Sequence, residues 1–356
     1  MPRYAAALAR ALDRVAGEFP ELSLRLLTTP RGAAAVDARG LDVQLVAAPF
    51  RNANAGPRRI AAEQLLAPAA RGDLLHFFDL TAPLLAPRRR FVTTLHDAAI
   101  RHGFERTRVA HKHVLQPRAL RRAAAVVAVS GFARDEGVRH FGADPARIRV
   151  VHSGPGLVAP DTAGHVRYQV PDMSGLAPGG RYFLYVGNIS AHKNLPFLVR
   201  AFGSVGDGAR LVLVGGRGEQ FDEVERAVAA SPARERIELR RDAPDGEVDA
   251  LYRGACALLL PSRYEGFGFT PLEAMTRGCP VLASDIPALR EVSGDGALLL
   301  PLDDDAAWSD AMRRLLRDDG LRNDLRRRGS AVAGRYSWEE TARGVCRVFL
   351  EAGGRG

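Results

Sequence analysis

The chain has 356 residues, a formal net charge of +9 and three cysteines. That length is long for one hydrophobic core and suits two domains, and hydrophobic residues at 46% with charged residues at 26% are ordinary for a soluble globular protein. No apolar run approaches the roughly 18 residues of a membrane span and no charged-then-apolar leader is present, so neither a membrane-spanning nor an exported protein is expected. Cys256, Cys279 and Cys346 are odd in number, sit in apolar contexts and lack C-x-x-C spacing. They are expected to be buried thiols in a reducing cytosol, not metal ligands or disulfides.

In chain order, MPRYAAALARALDRVAG predicts an amphipathic helix beginning almost at the initiator methionine. Strands are predicted over 22–28, 41–47 and 73–77, and Phe91-Val92-Thr93-Thr94-Leu95 is a β-branched strand ending in His96-Asp97. Residues 118–124 extend a basic helix into a strand over 125–130; a helix follows over 131–141, and a strand over 148–152. The densest basic stretch runs from Arg88-Arg89-Arg90 through Arg101, Arg106, Arg108, Lys112, Arg118, Arg121 and Arg122. No RNA-recognition aromatic pair, zinc-finger spacing or helix-turn-helix accompanies it, so nucleic acid is not expected as a partner. A solvated basic face and a surface for anionic lipid headgroups both remain open. His102, His111 and His113 are not expected to bind metal, because they lie among arginines and lack a closely spaced carboxylate.

Residues 161–180 form the centre of a Pro/Gly-rich stretch without periodicity and are assigned as the linker between domains at 1–160 and 181–335. The pattern restarts with a strand over 182–186, then Gly187-Asn188-Ile189-Ser190-Ala191-His192-Lys193-Asn194 and a helix over 195–202. Lys193, at that helix start, can set an ammonium against a diphosphate. Leu211 to Val214 lead into Gly215-Gly216-Arg217-Gly218, an imperfect G-x-G-x-x-G read as a strand-to-helix turn, with Arg217 a further phosphate candidate. Amphipathic helices are predicted over 306–317 and 321–333, and a last helix over 338–350.

The most informative stretch is 257–291. Ala257 to Leu260 are a short apolar run suited to a strand buried on both faces. A glycine-rich loop follows, then Thr270-Pro271-Leu272-Glu273, which combines an N-cap threonine, proline at the first helical position and glutamate at the third. A loop between strand and helix N-terminus lies at the carboxyl end of an open sheet and favours an anion such as phosphate. Glu265 and Glu273 flank it with seven residues between them. Carboxylates beside a phosphate are costly unless they face hydroxyl groups, so the partner expected is a nucleotide sugar. Taken singly, Glu273 could be a capping-box partner and Glu265 a solvated loop charge.

The E-x7-E arrangement within EGFGFTPLEAM resembles the retaining glycosyltransferases of family 4. That resemblance implies the α/β GT-B fold of two facing Rossmann-like parallel-sheet domains, with the helix at 336–356 crossing back to the N-terminal domain. The family usually opens with a strand and a Gly-rich turn; here that strand is missing, so either the true start lies upstream or the domain lacks its leading strand. The T-L-H-D position implies a donor-sugar contact for His96, against the alternative of a histidine satisfied by local backbone. The family places a lysine at Lys193, usually with an arginine nearby, where this chain has Asn188 and His192. Ser153 stands where asparagine is common.

The resemblance further implies that Glu273 holds the nucleoside ribose and that Glu265 and His96 orient the sugar. Gly187, Asn188, Gly266, Phe267, Gly268, Phe269, Thr270 and Leu272 are assigned to the donor pocket, with Lys193 beside the departing diphosphate. The expected enzyme is a metal-independent hexosyltransferase without a cofactor, using a nucleoside-diphosphate sugar as co-substrate. Mannose or glucose transfer to a glycan or lipid-linked acceptor in surface-polysaccharide synthesis is the family-level expectation. The expected location is the cytoplasm, with peripheral contact to the inner membrane face left open. A sugar-nucleotide epimerase or phosphorylase of the same fold, and a non-catalytic binding module, are the alternatives.

Overall fold

The computed structural model describes residues 2–28, 36, 41–45, 61, 64–65, 67–80, 83, 85, 88, 90–104, 110–156, 181–206, 208–216, 218–241 and 243–354. The linker assigned at 161–180, and Arg217, lie outside them. Two compact units emerge: Met1–Gly154 together with Tyr336–Gly356, and Pro155–Arg335.

The first unit begins with helix α1 (Pro2–Val15), whose Tyr4, Ala7, Leu8, Ala11, Leu12 and Val15 are all buried. Their spacing of three and four makes one apolar stripe, the signature of an amphipathic helix. Strands β1 (Arg25–Thr28) and β2 (Asp42–Leu45) pair in parallel as a separate small sheet. The main sheet holds β3 (Leu74–Phe77), β4 (Arg90–Leu95), β5 (Ala125–Ala128) and β6 (Ile148–Val150), adjacent in that order and all parallel. Helix α2 (Ala110–Arg122) connects β4 to β5, and α3 (Gly131–Phe141) connects β5 to β6.

The strand expected to run to Ser130 stops earlier, because Ser130 caps α3: its hydroxyl accepts from the Ala133 N–H at 2.9 Å. Polar threonines survive in the buried β4 because each is satisfied. Thr93 donates to the Asp79 carbonyl at 2.5 Å, and Thr94 meets His76 Nε2 at 3.0 Å. Burial pushes the His76 imidazole down to about 3, so it stays neutral in this core.

The second unit contains β7 (Tyr182–Val186), α4 (Leu195–Gly203), β8 (Arg210–Val214), α5 (Phe221–Ala230), β9 (Ile237–Arg240) and α6 (Asp245–Gly254). It continues with β10 (Ala257–Leu260), α7 (Phe269–Met275), β11 (Val281–Ser284), α8 (Pro287–Ser293), β12 (Ala297–Leu300), α9 (Asp305–Arg317) and α10 (Asp319–Ala333). Its six strands are parallel in the order β9-β8-β7-β10-β11-β12. The order reverses between β7 and β10, the doubly wound arrangement. Continuous apolar strands such as Ala257-Leu258-Leu259-Leu260, each residue at most 1% exposed, are what a sheet covered on both faces requires. Trp308 is fully buried against Phe197 and donates from Nε1 to the Pro301 carbonyl at 3.0 Å.

The final helix, α11 (Trp338–Gly353), is part of the first unit. Trp338 meets Tyr4 edge-on at 5.4 Å, Thr341 donates to the His152 carbonyl at 2.8 Å, and Arg343 pairs with Glu18 at 2.7 Å. Arg90, from the basic stretch, reaches the carbonyls of Ala352 and Gly353 at the end of this helix, where a cation complements the unpaired carbonyls.

Candidate functional site

The reversal of strand order in the second unit puts two loops side by side, the one leaving β7 and the one leaving β10. Lys193 comes from the first and Glu265 from the second, and their side chains meet at 2.6 Å, each 15% exposed. Ser262 donates to the same Glu265 oxygen at 2.7 Å. Burial works to raise the Glu265 carboxyl; the Lys193 ammonium, helped by His192 and Ser262, outweighs it and holds the group below its usual value. Glu265 is therefore an ionised acceptor, not a stored proton.

The backbones lock the loops together. The Arg263 N–H donates to the His192 carbonyl at 2.7 Å, Asn194 Nδ2 to Asp303 Oδ1 at 3.0 Å, and Arg263 Nη1 pairs with Asp303 Oδ2 at 2.7 Å. Tyr185, fully buried in β7, donates to the Asn188 carbonyl at 3.0 Å and so fixes the turn carrying Gly187 and the exposed Asn188. Burial, with the Glu265 charge behind it, pushes the Tyr185 phenol well above its ordinary value, so it remains a donor.

The G-G-R-G segment has a packing reason. A Cβ on Gly215 would come within 2.0 Å of the Gly187 carbonyl oxygen, and one on Gly218 within 1.9 Å of the Ile189 oxygen. These glycines let the turn after β8 lie against the loop that carries Lys193.

Helix α7 starts one residue before the expected Thr270 cap. Gly268, at φ 113°, occupies the cap position with no side-chain capping bond, which places Pro271 at the third helical position and corrects the sequence reading. The positive φ is what only glycine adopts without strain. Glu273 is 6% exposed and is no capping-box partner: its Oε2 accepts from the Tyr252 hydroxyl at 3.0 Å, while Oε1 fills the space a side chain on Gly156 would need. Burial and the neighbouring Glu273 charge push Tyr252 well above its usual value. Arg277 anchors the helix from behind, donating to the Glu273 carbonyl at 3.0 Å and pairing with Asp249 at 2.6 Å.

Of the other donor-pocket candidates, Phe267 and Leu272 are buried, so their side chains are packing groups; Phe267 meets Phe269 edge-on at 5.1 Å. Gly266, Phe269 and Thr270 are partly exposed along the loop and first turn. His96 belongs to the first unit: its Nε2–H donates to the Phe78 carbonyl at 2.8 Å and Tyr4 meets its ring edge-on at 4.5 Å, so one nitrogen is engaged by backbone. Sequence reasoning missed Ser262, Tyr252, Asp303 and Arg277, whose partners lie between 3 and 109 residues away without a motif.

One expectation is corrected in the first unit. His102 does have a carboxylate beside it, because α3 brings Glu136 into contact with its Nε2. The side chain of His111 lies outside the described residues, and His113 is exposed.

A family model described as Glycosyltransferase Family 4 matches residues 1–155, and one described as Glycosyl transferases group 1 matches residues 170–332. The chain belongs to glycosyltransferase family 4. This family 4 chain is 32% identical over 265 residues to the O-antigen chain mannosyltransferase B of Escherichia coli, covering 70% of itself and 67% of that protein. It is 30% identical over 239 residues to a D-inositol 3-phosphate glycosyltransferase of Xylanimonas cellulosilytica, covering 64% of itself and 57% of that protein. Among solved structures it is similar to Anabaena HepE in complex with UDP and glucose, with a TM-score of 0.70 and 18% identity, covering 96% of this chain and 95% of that one. The fold is GT-B, with a parallel-sheet α/β architecture in each unit. Among the described residues no helix is long and apolar enough to cross a membrane.

Proposed function

We propose that the chain is a retaining hexosyltransferase that takes mannose or glucose from a nucleoside-diphosphate sugar and passes it to a glycan or lipid-linked acceptor in surface-polysaccharide synthesis. The observation that carries this reading is the Lys193–Glu265 pair at the switch point of the second unit. Separating such a part-buried pair costs free energy unless each charge finds a new partner. A ligand that sets a phosphate beside hydroxyl groups supplies both: the diphosphate takes the Lys193 ammonium, and sugar hydroxyls donate to Glu265. A second carboxylate nearby, Glu273, oriented by Tyr252, is suited to the ribose hydroxyls.

In the reaction the C1–O bond to the diphosphate breaks as the acceptor oxygen forms a new bond to C1 on the same face. The acceptor proton goes to the departing phosphate oxygen. Lys193 and the backbone N–H groups preceding α7 stabilise the developing negative charge, so the step calls for no metal ion. Glu265 stays a hydrogen-bond acceptor and forms no covalent sugar adduct. The mannosyltransferase relative supports mannose, and the UDP and glucose named with HepE support a nucleotide-linked hexose. The proposed location is the cytoplasm, in peripheral contact with the inner membrane face when the acceptor is lipid-linked.

The test is a panel of GDP-, UDP-, ADP- and dTDP-hexoses, followed by thermal shift and by product analysis with glycan and lipid-linked acceptors. One donor is expected to stabilise the wild type but not Glu273→Ala, and to give an acceptor-dependent product with the donor's anomeric configuration. An epimerised nucleotide sugar, a free sugar phosphate or a covalently glycosylated Glu265 would each refute the proposal.

A further inference from the structure

Glu136 and His140 are four residues apart on α3, which sets their side chains on one helix face. His102 ends the short turn after β4, and Gly103, at φ 72°, bends the chain away behind it. The three side chains converge: His102 Nε2 bonds one carboxylate oxygen, and His140 Nε2 lies 3.4 Å from the other. One nitrogen or oxygen from each lies within 4.8 Å of the others, and among the described residues this is the only group of three or more His, Cys, Asp or Glu with that spacing.

The charge balance is unusual. Glu136 is only 3% exposed, yet among the described residues the nearest arginine or lysine nitrogen, Arg139 Nη1, is 3.9 Å away on a side chain that is 73% exposed. A carboxylate this far from water favours a cation held directly against it, and two imidazole nitrogens already face it. Both histidines keep an opening to solvent, at 33% and 29% exposure.

The geometry points to a transition-metal site, of the zinc class, formed by His102 Nε2, Glu136 and His140 Nε2, with solvent in the fourth position. A tetrahedral zinc with N and O ligands at about 2.0–2.2 Å sets those ligand atoms roughly 3.3–3.5 Å apart. The Glu136–His140 separation of 3.4 Å already fits, and the half-exposed His102 ring moves outward as the metal replaces its contact with Glu136. Imidazole with one carboxylate selects zinc and its neighbours in the first transition row over calcium or magnesium. The bound ion joins α3 to the turn that leaves β4, two segments also linked by the histidine–carboxylate contacts and by Arg101 over the Phe141 ring at 5.1 Å. All three ligands belong to the first unit.

The test uses untagged full-length protein, freed of metal with a chelator and titrated with zinc, and with cobalt as the spectroscopic probe. One equivalent is expected to bind, with a rise in Tm and a cobalt spectrum of tetrahedral type. The part-exposed variants His102→Ala and His140→Ala are each expected to weaken binding by more than about 100-fold, beyond the 10–100-fold typical of losing an outer partner. Magnesium and calcium are expected to leave Tm unchanged. The proposal is overturned by an absence of stoichiometric binding, or by zinc affinity undiminished in both variants, which would send the metal to the cysteines or elsewhere.

Discussion

Glu265 and Glu136 are both carboxylates withdrawn from water, and they are balanced in opposite ways. Glu265 has a full ammonium at 2.6 Å and a hydroxyl at 2.7 Å. Glu136 has two imidazoles and a distant guanidinium. A carboxylate already neutralised exchanges partners when a ligand arrives with both an anion and hydroxyl groups. A carboxylate faced by two imidazoles and only a distant, solvent-exposed guanidinium is open to a cation bound directly against it. On the two proposals, the same residue type would serve sugar recognition in one unit and metal binding in the other, with the neighbours deciding which.

The largest expected effect comes from removing the cation at the first site. Lys193→Ala should lower the rate of sugar transfer about 100–1000-fold, the usual loss when one charge-stabilising donor is deleted, as read from initial rates with saturating donor. Next is the ion pair behind α7: Arg277→Ala removes the buried guanidinium that ties Asp249 to the Glu273 carbonyl, leaving them with Arg253 and the Thr276 hydroxyl, and should destabilise the fold by about 1–2 kcal/mol in chemical denaturation. Its effect on transfer should be smaller than that of Lys193→Ala, since Arg277 is placed to hold the helix and not the leaving group. If the two variants ranked the other way in both assays, the contrast between a ligand-exchanging pair and a structural one would fail.

Tyr252→Phe should be milder, weakening donor binding by about 0.5–1.5 kcal/mol through loss of the bond that orients Glu273. A calorimetric comparison with the wild type measures it directly. The smallest effect is in the pH profile. The Glu265 carboxyl is held below its usual value of 4.5 in the folded chain, so the unfolded chain takes up the proton first as pH falls. The stability it supplies is present above that usual value and is lost as pH drops through the lower folded one. From about pH 5 to about pH 3, wild-type Tm should therefore fall more steeply than that of Glu265→Gln. Equal slopes would mean that Lys193 does not hold Glu265 ionised.

Legibility in the sequence followed the range of the interactions. Elements fixed by neighbours could be read from their residues: the apolar stripe of α1, the β-branched β4, and α3 with bounds at Gly131 and Phe141. Lys193 and Glu265 were each legible as candidate site residues because each follows its own strand, but their pairing depends on β7 lying beside β10. The start of α7 was misread because Thr-Pro-x-Glu satisfies a local capping rule, whereas the positive φ of Gly268 opens the helix earlier. Glu136 escaped notice altogether. Its partner His102 is 34 residues away, and only the packing of α3 beside the turn after β4 brings them together.

The measurement that bears most directly on the central claim is a calorimetric titration of the stabilising nucleotide sugar, and of its nucleoside diphosphate, into wild type, Lys193→Ala and Glu265→Gln. The account predicts that Lys193→Ala weakens both ligands by more than about tenfold, or about 1.4 kcal/mol. It predicts that Glu265→Gln weakens the nucleotide sugar while leaving the bare diphosphate nearly unchanged. Equal affinities of both ligands across all three proteins would contradict it.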